Sequence, residues 1–281
     1  MESGAGAGSV EIGIIGTGLI GASLVEALKA CGAARRIHVL EPSIDHLSAV
    51  RERHPDLAVA GDVEALSGCD FVFVCSPPHA VAGYVLSLSG ARSVVIDVAS
   101  VKASIVAAVA AGGGNPRFVP GHPLSGGTSS GPAEACADII TRRPFVLCPT
   151  EQTDAAALHE AEVLLRRIGA ATTIVEADAH DRIMALLSHV PHLIAFSLVE
   201  QLAALPEAER AVALQLMPNS FASVTHFALS DPVMWADIFA QNKAAIAAAA
   251  DQLDRSNKAL LAGGPELLQG LRTLREGLKS G

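Results

Sequence analysis

Aromatic residues are scarce in this chain, 4% of the total with one tryptophan and one tyrosine, although half of the residues are hydrophobic. A large core therefore has to be filled by Ala, Val, Leu and Ile. A basic cluster is absent as well. The formal charge is −9, and without a Lys/Arg stripe to neutralise phosphates a nucleic-acid surface is excluded and a small-molecule partner is favoured. The five cysteines, Cys31, Cys69, Cys75, Cys136 and Cys148, are odd in number, widely spaced and lack a C-x-x-C pair. Neither a disulfide framework nor a zinc site is indicated, and a reducing cytoplasm fits best. The histidines form no H-E-x-x-H, so no metal is expected. No uninterrupted apolar run approaches the ~18 residues that span a bilayer, so no membrane association is expected. The opening MESGAGAGSV has neither a basic nor an apolar signal region and reads as a frayed start.

What is present is alternation. From Glu11 to about Thr150, short β-branched runs (EIGII, RIHVL, FVFVC, SVVIDV, FVP) alternate with amphipathic helical stretches, which implies βαβ units and a parallel sheet covered on both faces. Two more strand-like runs, PFVLC from Pro144 and ATTIV from Ala171, are expected to extend that sheet. After about Asp178 only helical periodicity remains, through HDRIMALLSHVPHLIAFSLVEQL and again through VMWADIFAQNKAAIAAAADQLDRSNKALL. The expected organisation is α/β: a Rossmann-type dinucleotide-binding domain over 1–176, then an all-helical domain over 177–281.

Gly16, Gly18 and Gly21 spell G-x-G-x-x-G directly after EIGII, with Leu19 and Ile20 opening the next helix. The first glycine permits a tight turn, the second a close approach of backbone to pyrophosphate, and the third helix-on-strand packing. Helix N–H groups then face the phosphates. Glu41, twenty residues after Gly21, ends the second strand where a carboxylate accepts ribose hydroxyls and repels a 2′-phosphate, so NAD is expected over NADP. A plain β-α turn and a flavin site are the alternatives. Ser76 and Pro77 follow the strand FVFV and join the candidate cofactor residues, with Pro77 and Pro78 also reading as a helix start. Ser100, in DVASVK, stands where nicotinamide and substrate would meet, and could equally cap the next helix.

In GHPLSGG, His122 sits between a glycine and a proline. Oxidising an alcohol with NAD needs a base for the hydroxyl proton, and a histidine titrates near working pH. The turn is expected to present His122 toward the nicotinamide.

These segments, GTGLIGASL, DVASVK, GHPLSGG, RPFVLCPT, HDRIMALLSHVPHLIAFSLV and SDPVMWADIFAQNK, resemble in kind and order the prephenate/arogenate dehydrogenase family over about residues 11–250. The resemblance implies an NAD(P) domain, a helical domain that forms a homodimer, and oxidation of a cyclohexadienol acid that loses CO2 as its ring becomes aromatic. It implies His122 as the catalytic histidine and Ser100 as the serine that steadies the hydroxyl. His189 and His192, three apart on one helical face, fall where the family contacts substrate, with helix packing as the alternative for one of them. Trp235 belongs to the same substrate region. One position departs. The family reads F-R-D-T-T-R or similar ahead of S-D-P-x-x-W, its second arginine holding a substrate carboxylate, whereas this chain has His226 there. Histidine offers fewer donors and a conditional charge. A relative acting on a different cyclic hydroxy acid, and a non-catalytic NAD-binding protein, are the competing readings.

Overall fold

The computed structural model describes residues 10–125 and 130–278. The expected frayed start, and Gly126 and Gly127 of GHPLSGG, lie outside the described residues. The first half runs β1 (Val10–Ile15), α1 (Leu19–Ala30), β2 (Ala34–Leu40), α2 (Ile44–Arg53), β3 (Ala58–Val59), β4 (Phe71–Val74), α3 (Pro78–Ser87), β5 (Val94–Asp97), α4 (Ala103–Ala111) and β6 (Phe118–Val119). These six strands form one parallel sheet in the order β3-β2-β1-β4-β5-β6. The order reverses beside β1, so the carboxyl ends of β1 and β4 open a crevice where such sheets bind ligands. The inner strands are apolar on both faces: β4 and β5 are buried throughout, as strands covered by helices on two sides must be.

The later strands correct the expectation that they extend this sheet. β7 (Gly121–Pro123), β8 (Pro144–Leu147) and β9 (Ala171–Ile174) form a separate three-stranded sheet, with α5 (Ala155–Arg167) between the last two. β8 pairs parallel with β9 but antiparallel with β7. Pro120, which has no N–H to donate, separates β6 from β7, where the chain leaves one sheet for the other. His122 is therefore a strand residue, opposite Val146, and not the turn residue expected from its glycine and proline neighbours.

Beyond β9 the described chain is helical: α6 (Ala177–Met184), a π-helical turn (Ala185–His189), α7 (Val190–Ala203), α8 (Glu207–Gln215), α9 (Asn219–Thr225), α10 (Pro232–Gln241), α11 (Lys243–Ala262) and α12 (Pro265–Gly277). The helical run Ala177–Ala203 is long and apolar enough, by length and composition, to cross a membrane. It carries His180, Asp181, His189 and His192, all buried and hydrogen-bonded. The periodicity that runs through VMWADIFAQNKAAIAAAA is broken at Asn242, which ends α10 and starts α11. Trp235 and Ile238 of α10 pack into the apolar layer that also holds Val74, Val95 and Ile105, seating the helical half on the sheet.

Candidate active site

The glycine-rich loop is shaped by its own crowding. Gly16 has φ +89°, and a Cβ there would meet the Cys75 carbonyl oxygen at 2.7 Å; a Cβ on Gly21 would collide with the Gly16 carbonyl. Gly18 differs: nothing lies within 4 Å of where its Cβ would be, and it immediately precedes α1, whose first N–H groups have no intrahelical partner. A cleft of about 600 Å³ opens there, lined among others by Gly16, Gly18, Glu41, Ser76, Pro77 and Ser100. Leu19, Ile20 and Gly21 form the first turn of α1 beside it.

Glu41 is not simply waiting for a ribose. Its Oε2 accepts from the Thr17 backbone N–H at 2.5 Å and from the Thr17 hydroxyl at 3.0 Å, and its Oε1 accepts from the Ser43 N–H at 2.8 Å. The carboxylate thus holds the glycine-rich loop against the end of β2. Ser76 Oγ, on the same cleft, is buried without a protein partner.

Ser100 lines the cleft but does not cap α4, which corrects the expectation of an N-cap. The cap of α4 comes from the helical half instead. Asp181 of α6 accepts the Lys102 N–H with Oδ1 (2.8 Å) and the Ala103 N–H with Oδ2 (2.9 Å). The Lys102 side chain turns inward, fully buried, where its Nζ pairs with the Asp97 carboxylate and donates to the Gly121 carbonyl at 2.7 Å. Asp97 also accepts the Gly121 N–H at 3.0 Å. One buried ion pair thus clamps the end of β5 to the start of β7 and sets the residue before His122.

His122 Nδ1 lies 2.9 Å from His180 Nε2, and His180 Nδ1 lies 2.8 Å from Asp181 Oδ1. A carboxylate only accepts, so His180 donates from Nδ1; its Nε2 then accepts from His122 Nδ1–H. That leaves His122 Nε2 as an unprotonated acceptor. Burial, reinforced by the neighbouring His180, Lys102 and His189, holds the His122 pKa well below its ordinary value, so the ring is neutral at physiological pH. For Asp181, burial raises the carboxyl pKa, but the His180 hydrogen bond and the two backbone donors outweigh it and the net shift is downward. Within HDRIM no local pattern marks His180 and Asp181 as site residues. They lie 58 and 59 positions from His122, and only the packing of α6 on α4 brings them together.

His189, His192 and Trp235 form a buried cluster rather than an open pocket wall. His192 stacks on Trp235 with ring centroids 3.6 Å apart, and His189 meets the same indole edge-on at 5.9 Å. Burial pushes the His189 pKa down to about 4. Asn242 Nδ2 donates to His189 Nδ1 (3.1 Å) and to the Asp181 carbonyl (2.9 Å), while His192 Nδ1 donates to the Ser188 carbonyl (2.9 Å). His189 and His192 do not lie on one regular helix as their spacing predicts, since the π turn ends at His189; what unites them is Trp235. His226 is exposed, and Phe227 beside it packs on His192 at 4.6 Å. Among the described residues no group of His, Cys, Asp and Glu has the arrangement of a metal site, and all five cysteines are unpaired.

Two family models match: prephenate dehydrogenase, nucleotide-binding domain, over residues 24–174, and prephenate dehydrogenase, dimerization domain, over residues 176–262. The chain is 30% identical over 243 residues to a cyclohexadienyl dehydrogenase of Zymomonas mobilis, covering 84% of this chain and 82% of the relative. It is 34% identical over 253 residues to a probable prephenate dehydrogenase of Streptomyces niveus, covering 88% and 67%. Its fold matches a prephenate dehydrogenase from Aquifex aeolicus, solved with hydroxyphenyl propionate and NAD+, at a TM-score of 0.86 and 24% identity over 98% of both chains.

Proposed function

The chain belongs to the prephenate dehydrogenase family, and from that premise we propose that it oxidises prephenate or arogenate with NAD, the ring losing CO2 as it becomes aromatic. The supporting observation is the neutral His122, whose Nδ1 is committed to His180 and whose Nε2 is left to accept the proton of a ring hydroxyl. NAD bound in the cleft supplies the hydride acceptor. Gly16, Gly18, Leu19, Ile20 and Gly21 fit its pyrophosphate, because the space over Gly18 is open and the α1 N–H groups border it. Glu41, Ser76 and Pro77 fit the remainder of the cleft, and the Glu41 carboxylate disfavours a 2′-phosphate. Ser100 steadies the substrate hydroxyl.

We assign substrate contacts to the region of His189, His192, Trp235 and His226. We place the nucleotide domain at 1–176, the helical domain at 177–281 as the seat of a homodimer, and the protein in the cytoplasm. The exposed His226, standing where the family resemblance puts an arginine, favours a second reading, a different cyclic hydroxy acid lacking the carboxylate that arginine holds. NADH formation from prephenate, from arogenate and from other cyclohexadienol acids tests both. With prephenate as substrate, His226→Arg lowers KM about tenfold, since a charge-assisted pair contributes about 1.5–3 kcal/mol. Failure of the wild type and of His226→Arg to oxidise either prephenate or arogenate overturns the first reading in favour of the second.

A further inference from the structure

We propose that His180 and Asp181 are positioning residues for His122, keeping its Nε2 free to take a proton and giving the resulting charge a second nitrogen beside a carboxylate. This rests on His122 being the base. The chain of contacts has a direction. Asp181 cannot turn away from His180 without abandoning two backbone donors at the start of α4. With Asp181 fixed as an acceptor, His180 must carry its proton on Nδ1, and His122 must do the same. The His122 and His180 rings meet edge-on, with centroids 5.1 Å apart and planes at 75°.

In the reaction the substrate O–H bond breaks and an N–H bond forms at His122 Nε2. The proton on His122 Nδ1 then shifts to His180 Nε2. One proton has moved in each step, no electrons are exchanged between the side chains, and the positive charge ends on the ring bonded to Asp181. The other charged and titratable groups around His122 are Lys102, paired with Asp97 and so nearly neutral as a unit, and His189, tied to the same network through Asn242. Asp181 is thus the unpaired negative charge of the cluster. A histidine oriented by a carboxylate acts in this manner when the wrong tautomer is costly.

The test begins with the intact wild-type protein. Nitrogen-15 NMR at pH 7 should show His122 and His180 both protonated at Nδ1; a His122 protonated at Nε2 overturns the proposal without any variant. In His180→Leu, His122 should revert to the Nε2-protonated form that a histidine side chain prefers in water, and kcat should fall by about 10²-fold or more with NADH binding unchanged. His180→Gln, whose amide oxygen accepts from Nδ1–H but takes no proton, should restore the tautomer and only part of the rate. Asp181→Asn should move the acid limb of the kcat–pH profile to lower pH, because the imidazolium loses its carboxylate. Wild-type kcat in His180→Leu with an unmoved pH profile in Asp181→Asn would sink the idea. His122→Asn separates the two levels: if it keeps most of its turnover the base assignment itself falls, whereas its loss beside a fully active His180→Leu removes only the positioning role.

Discussion

The two halves of the molecule spend their apolar residues differently. Before residue 176 the described exposed large hydrophobics are four, Ile44, Val59, Val163 and Ile174; after it there are nineteen, among them Leu216, Leu229, Val233 and Leu274. The first half has two extensive buried layers, one on each side of its parallel sheet. The second has a buried cluster of only Ala185, Val190 and Ile246, with α8, α9 and α12 burying no residue at all. One half carries an extensive buried interior, while the other leaves many large apolar side chains exposed. A chain with such a division should respond to the same kind of substitution in opposite ways on the two sides of the seam.

The largest effect is expected inside the first half. Lys102→Met strands the Asp97 carboxylate in a fully buried site and should cost about 3–5 kcal/mol, read as a drop in the urea midpoint. A loss under 1 kcal/mol would mean that the ion pair is not what joins β5 to β7. In the second half the corresponding sensitivity is to pH. His189 has a pKa of about 4 when folded against 6.5 as its ordinary value, so the unfolded chain takes up the proton first as pH falls. Its contribution is complete above about pH 6.5 and is lost on descending toward pH 4, by about 3 kcal/mol. Chemical denaturation at pH 7 and at pH 4.5 reads the sum of such losses, to which His122 and His192 also contribute, and His189→Gln should reduce that difference by about 2–3 kcal/mol.

Smaller is the expected effect on association. If the proposed dimer forms through this exposed apolar surface, Leu216→Glu combined with Leu229→Glu should raise its dissociation constant by about tenfold or more in sedimentation equilibrium, since a charge in an apolar contact must be desolvated. Val163→Glu, on the self-contained half, should leave it unchanged. Equal responses would erase the contrast between the halves. The smallest is Glu41→Ser, which should narrow the preference for NAD over NADP by about tenfold or less through loss of like-charge repulsion. Its three hydrogen bonds add a second readout: the loop around Thr17 should exchange its amide protons faster.

The residues that made the first half readable are those with a strong local signal. Buried parallel strands appear as β-branched runs, and Gly16, Gly18 and Gly21 stand at a spacing that few other structures need. The second sheet was not readable, because β7 is three residues long and carries no period. Nor was the break at Asn242, since an asparagine within an alanine-rich helical pattern looks like a surface residue; its side chain is instead held inward by Asp181 and His189. Ser100 gave a plausible cap that the structure fills with Asp181. The site as a whole depends on contacts across 58 to 79 positions of chain, and no local pattern encodes those.

Asp181 also has a bearing on the order in which the protein becomes competent as it is made. Synthesis proceeds from the N-terminus, and domains fold largely as units. When residues 10–176 have emerged, the glycine-rich loop and its cleft have every residue they require except those contributed by α10, but α4 begins with uncapped donors and His122 has no acceptor for Nδ1. Docking of α6 supplies both at once: the Asp181 carboxylate accepts the N–H groups of Lys102 and Ala103, and His180, bonded to that carboxylate, accepts from His122. A nascent or truncated chain ending before His180 therefore contains the nucleotide loop with His122 Nδ1 lacking its partner, so that under the proposed mechanism the base is armed only once α6 has docked.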